Sequence, residues 1–143
     1  ALENVLSTLA DLKTEQQKLH VIFGCGGDRD KSKRPRMAQV AEKFADIITV
    51  TSDNPRSEDP DEIIDQVMAG FQDAGTVKRL TDRRAAITAA IEEADSQTMI
   101  LIAGKGHETY QEIKGKRHDF DDREVASEAL RKRNGNPKTG EVA

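Results

Sequence analysis

Three short stretches hold the residue types best suited to gripping a charged small molecule: GCGGDRDKSKRP (24–35), DNPR (53–56) and GKGHE (104–108). In the first, glycines let backbone N–H groups approach an anion, and Arg29, Lys31, Lys33 and Arg34 carry charge to neutralise a phosphate. It is not a dinucleotide fingerprint, because G-x-G-x-x-G would need glycine where Arg29 stands. The alternative is a solvated loop whose bases are offset by Asp28 and Asp30.

The tetrad Asp53-Asn54-Pro55-Arg56 carries a sharper signal. Arginine presents a planar fork that matches a carboxylate. Asn54 adds a donor and an acceptor, and Pro55 stiffens the loop and lowers the entropy cost of holding Arg56 still. Glu108 in the third stretch suits an ammonium group, so the two loops together would hold a zwitterion. A plainer reading makes this an Asn-Pro turn with Arg56 paired to Glu58 or Asp59. GKGHE lacks G-x-x-x-x-G-K-[ST] and is no Walker A loop. Its two glycines permit close backbone approach, and His107 either serves as an acid/base or merely caps or packs.

The elements that must position these loops follow from periodicity. Leu2, Val5, Leu6, Leu9 and Leu12 recur at helical spacing. LHVIFG (19–24) and DIITVT (46–51) predict buried strands, TVKRL (76–80) a weaker edge strand, and TMILIA (98–103) the most apolar one. Pro35 suits a first helical turn, with Met37, Val40, Ala41 and Phe44 on one face. Asp59-Pro60-Asp61-Glu62 reads as an N-cap, a first-turn proline and dipole-matching acids. That helix buries Ile63, Ile64, Val67, Met68 and Phe71. Thr81 is the expected cap of a helix carrying Ala85, Ile87, Ala90, Ile91 and Ala94. YQEIKGKRHDF (110–120) predicts a hairpin turning at Gly115, and Asp121 or Asp122 caps a last helix. Strands alternating with helices predict an α/β fold with a mainly parallel sheet covered on both faces. In such sheets ligands sit beyond the carboxyl ends of the strands, and all three loops follow strands.

The chain of 143 residues suits one domain with a real core. Its net charge of −4 argues against general nucleic-acid binding, and scarce aromatics against a base-stacking surface. No apolar run approaches the ~18–20 residues that cross a bilayer, so no membrane insertion is expected. One cysteine, Cys25, excludes an internal disulfide and fits a reducing cytoplasm. The three histidines form no metal-ligand spacing with it. There is no serine nucleophile elbow, no H-E-x-x-H and no recognisable Cys–His pair.

GCGGDRDKSKRP, SDNPR and AGKGHETYQ, in this order and with DDRE (121–124) after them, closely resemble the C-terminal domain of the Mur ligases. The resemblance covers roughly residues 1–133, with 134–143 expected to be a flexible tail, and points to the members that add meso-diaminopimelate. It implies a Rossmann-like domain of an ATP-dependent amide ligase acting on UDP-N-acetylmuramoyl-L-alanyl-D-glutamate in peptidoglycan synthesis. ATP phosphorylates a substrate carboxylate, and the amine of the incoming amino acid attacks the acyl phosphate. ATP and Mg2+ are bound mainly by a central domain, and no catalytic residue or metal ligand is assigned to the C-terminal one. By the resemblance, meso-diaminopimelate is held by Arg29, by Asp53, Asn54, Pro55 and Arg56, and by Gly104 and Glu108. Lysine-adding relatives lack the arginine of the tetrad. Lys31 or Lys33 would reach ATP phosphates on closure.

These residues include neither a P-loop nor a UDP-binding domain, so alone they are expected to bind and close rather than ligate. A related ligase with another acceptor, and a stand-alone nucleotide- or amino-acid-binding α/β module, remain open alternatives.

Overall fold

A computed structural model describes residues 2–105 and 108–134. Helix α1 (Leu2–Leu12) leads into β1 (Lys18–Phe23), α2 (Lys33–Phe44), β2 (Ile47–Val50) and α3 (Pro60–Met68). A 3-10 turn (Ala74–Thr76) precedes β3 (Lys78–Arg79), α4 (Arg83–Glu93) and β4 (Thr98–Ile102). The hairpin β5 (Tyr110–Ile113) and β6 (Lys116–Asp119) and helix α5 (Asp122–Asn134) complete the chain. Four strands form a parallel sheet in the order β3-β2-β1-β4, and β5-β6 form a separate antiparallel pair. The expected fold class is therefore observed. Expectations for residues 135–143, and for His107, lie outside the described residues; Asn134 closes α5.

β1 is central, so both of its faces must be covered, and its sequence is apolar almost throughout. Leu19, Val21 and Phe23 join Leu6, Ala38, Ala41, Ile63, Ile64 and Val67 in a core beneath α1, α2 and α3. Ile22 turns to the opposite face and packs with Ile102, Ile87, Ala90 and Ala126 under α4 and α5. His20 is buried as well, with Nε2 2.8 Å from Thr49 Oγ1. Burial lowers its pKa to about 4, so the ring is neutral.

Helix starts follow local chemistry with small displacements. Asp59 caps α3 by accepting from Asp61 N, with Pro60 next. The cap of α4 is Asp82, which accepts from Ala85 N; Thr81 instead hydrogen-bonds Asp61. Ala86 rather than Ala85 faces the core, in helical phase with Ile87, Ala90 and Ile91. Asp121 accepts from Arg123 N at the start of α5, which frees Asp122 for another task. In α1, Val5 and Leu12 are exposed, since one helix lying on one sheet face buries a stripe narrower than its apolar positions. Among the described residues no helix is long and apolar enough to cross a membrane.

Candidate functional site

The three unusual loops converge at the carboxyl end of the sheet because β1, β2 and β4 are parallel and end together. β1 hands over to Gly24, β2 to Thr51 and Ser52, and β4 to Ala103 and Gly104. Backbone bonds from Thr51 N to Phe23 O and from Ala103 N to Ile22 O, both 2.9 Å, continue the ladders into the loops. The approach is tight where glycine allows it. A Cβ on Gly27 would lie 1.8 Å from the Pro55 carbonyl oxygen, and Gly104 has φ +114°. Gly27 N donates to Asn54 O at 2.7 Å, which couples the glycine-rich loop to the tetrad.

The tetrad is then held by the hairpin. Arg56 N donates to Glu112 O and Lys114 N donates to Arg56 O, each at 2.8 Å, a single β-bridge onto β5. Gln111, itself buried, donates Nε2 to Ser52 Oγ and Asp53 O, both at 2.8 Å. Asn54 Oδ1 accepts from Glu112 N at 2.6 Å, and its Nδ2 donates to Glu108 Oε1 at 3.0 Å. These bonds fix Arg56 in left-handed backbone, φ 54°, a conformation of the kind found at functional sites.

The Arg56 guanidinium donates from Nη1 to Gly27 O at 2.9 Å and more weakly to Asn54 O at 3.4 Å. Among the described residues it meets no carboxylate. The plainer pairing is removed, because both candidate acids are engaged elsewhere: Glu58 by Arg34 and Asp59 by the α3 N-terminus. A strong fork held by carbonyls and lacking an anion is suited to an external carboxylate.

Arg34 is a correction to the expectation of a phosphate cation. It is fully buried, donates to both Glu58 oxygens at 3.1 and 2.8 Å, and also bonds Gln66 and Gly26 O. These hydrogen bonds hold the Glu58 pKa down at about 2. Lys31 is exposed and stands 3.9 Å from Glu58. Asp28, at φ 56°, accepts from Ser57 and so adds a second tie between the glycine-rich loop and the tetrad.

A cleft of about 270 Å³ opens among Gly24, Arg29, Lys33, Asp53 and Gly104. It unites four of the expected residues. Gly26 lines it too, and a Cβ added there would stand 2.8 Å from Arg56 Nη1 and 3.5 Å from Arg29 Cγ. Asp53 is buried, and its Oδ1 has no hydrogen-bond partner in the described structure. Burial raises its pKa, opposed by the positive charges of Arg83 and Lys105. Glu108 does not face the tetrad across open space. It sits beside Asn54 and also accepts from the Tyr110 hydroxyl at 3.2 Å.

Three positioning residues escaped the sequence reading. Lys105 is buried, donates to Tyr110 O and lies over the Tyr110 and Phe120 rings; desolvation lowers its pKa. Gln111 alternates inconspicuously within a polar hairpin. Arg83 did leave a signal, a cation in the first turn of a helix, where the dipole disfavours it. Among the described residues no group of three or more His, Cys, Asp or Glu side chains is arranged to hold a metal ion.

Residues 1–106 match the family model described as "Mur ligase, glutamate ligase domain". A curated relative from Chromobacterium violaceum, a UDP-N-acetylmuramoyl-L-alanyl-D-glutamate–2,6-diaminopimelate ligase, is 51% identical over 91% of this chain and 26% of its own. One of the same name from Chlorobium phaeobacteroides is 46% identical over 99% of this chain and 28% of its own. A solved structure of a ligase of that name superposes with TM-score 0.83 at 45% identity, covering 90% of this chain and 26% of the other. The chain thus spans about a quarter of the length of the relatives it matches.

Proposed function

Because this chain belongs to the Mur ligase family, we propose that it is the amino-acid-binding part of an ATP-dependent ligase that joins meso-diaminopimelate to UDP-N-acetylmuramoyl-L-alanyl-D-glutamate. The observation that carries the reading is the Arg56 fork, rigidly mounted at the end of β2 and facing no carboxylate among the described residues. A diamino diacid has a second carboxylate at its far end; lysine has none. Arg56 and Arg29, both close to where a Cβ on Gly26 would stand, take that carboxylate. Asn54, Gly104, Glu108 and the unpartnered oxygen of Asp53 serve the adjacent ammonium, and Pro55 keeps the loop rigid.

The chemistry then needs little from this domain beyond placement. The free amine at the other end of the amino acid attacks the acyl phosphate, a C–N bond forms and phosphate leaves with the C–O electrons. A fixed far end delivers that amine in one orientation, which turns a bimolecular encounter into a local one. When bound, ATP and Mg2+ supply the activated carboxylate; Lys33 at the cleft and exposed Lys31 are the cations of this chain available to the phosphates. The site of action is the cytoplasm, in peptidoglycan synthesis.

The test uses the intact ligase and compares amide formation with meso-diaminopimelate and L-lysine. Strong preference for the diacid is expected. Arg56→Ala is expected to cost about 2–5 kcal/mol in kcat/KM for it, the loss of a desolvated charged pair. Unchanged use of the diacid by Arg56→Ala would remove the arginine from the site. Equal use of lysine by the wild type would remove the substrate.

A further inference from the structure

Arg83 stands in the first turn of α4 and is 1% exposed. One edge of its guanidinium faces α5: Nε and Nη2 donate to Asp122 Oδ1 and Oδ2 at 2.8 and 2.7 Å. The other edge faces the site loops. Nη1 donates to Ser52 O at 3.0 Å and Nη2 to Ala103 O at 3.2 Å. Ser52 immediately precedes Asp53, and Ala103 immediately precedes Gly104.

β2 and β4 do not pair with each other, because β1 lies between them. Their ladder bonds to β1 end at Thr51 and Ala103. Farther out the two loops meet through Asn54 Nδ2 and Glu108 Oε1, but at their roots, just beyond the ladder bonds, the planar Arg83 group spans them. A staple needed only to dock α5 on α4 would use the Asp122 edge alone. The two carbonyl bonds do nothing for that docking, yet they occupy the rest of the fork.

We propose that Arg83 is a positioning residue of the amino-acid site, setting through Ser52 and Ala103 the separation between the Arg56 loop and Gly104. This deepens the function proposed above and rests on it. The separation is a ruler for the far end of the amino acid, since its ammonium is met from both loops, by Asp53 and Asn54 on one side and Gly104 and Glu108 on the other. Arg83 touches neither the carboxylate nor the ammonium.

The experiment uses the intact ligase with Arg83→Lys and with the double variant Arg83→Met/Asp122→Leu. Lysine retains the charge facing Asp122 but lacks the second edge. The double change removes both buried charges together, which avoids stranding one of them. For both, KM for meso-diaminopimelate is expected to rise about tenfold, the scale of one or two lost hydrogen bonds, with KM for ATP within about twofold. A parallel rise in both KM values, or a lower Tm with neither KM changed, would reduce Arg83 to a staple of the fold and overturn the proposal. So would failure of both variants to fold; if only Arg83→Lys fails, the double variant decides. Wild-type enzyme that ignores meso-diaminopimelate sinks the functional reading instead. The Arg83 comparison is then made on the amino acid the enzyme does condense, where a selective rise still supports it.

Discussion

Asn54 offers the most discriminating perturbation, because it is buried, joins three loops and has an orientation fixed by its partners. Its Oδ1 accepts from a backbone N–H at 2.6 Å, which only an oxygen can do, so the amide nitrogen must face Glu108. Asn54→Asp keeps the shape and the acceptor. It replaces the donor to Glu108 by a second carboxylate oxygen 3.0 Å away. The hydrogen bond lost is to a charged group, worth about 1.5–3 kcal/mol. Adding a like-charge contact in a partly buried place brings the expected loss to about 3 kcal/mol. For a chain of this size that corresponds to a fall in Tm of roughly 6–12 °C. The assay is urea unfolding of the 143-residue chain near neutral pH. The second carboxylate should be relieved by protonation, so the deficit shrinks as pH falls towards the carboxylate range. Adding Glu108→Gln returns a donor on the opposite side, and at least half of the lost stability should come back. No destabilisation by Asn54→Asp, or no recovery on adding Glu108→Gln, would show that this contact does not join the loops.

Two further outcomes follow from the geometry. Gly27→Ala places a methyl group 1.8 Å from Pro55 O, backbone against backbone; a loss of about 3 kcal/mol or more is expected in urea unfolding, with the Arg56–Gly27 bond disrupted. His20 has its pKa lowered by burial to about 4 from 6.5. The unfolded chain therefore takes up a proton that the folded chain refuses, so this contribution is intact above pH 6.5 and drains as pH falls towards 4. At about 1.4 kcal/mol per pH unit the loss is bounded near 3 kcal/mol, and His20→Gln should flatten the stability–pH curve in that window.

The parts of the fold written in local chemistry were legible without coordinates. Proline after Asp59 and an aspartate at the starts of α3, α4 and α5 need only neighbours in sequence, and the errors there are single residues, as with Thr81 and Asp82. The hairpin was legible from Gly115, but not its purpose, since nothing in YQEI says that its backbone will bond Arg56. The cations of 24–35 were indistinguishable as letters. Arg34 became a buried staple because α2 turns it inward, whereas Lys31 lies in the loop before that helix and is exposed.

The sequence by itself determined the element order, the parallel sheet, the three strand-end loops and the fork-shaped group in one of them, because periodicity and residue chemistry are local properties. Only the tertiary structure decided that Glu58 belongs to Arg34, which leaves Arg56 without that acid. It alone seated the tetrad on β5, and it alone made Arg83 span two strands that never pair. Each of those choices is a competition among partners distant in the chain, settled by which groups the packed sheet brings within hydrogen-bond reach.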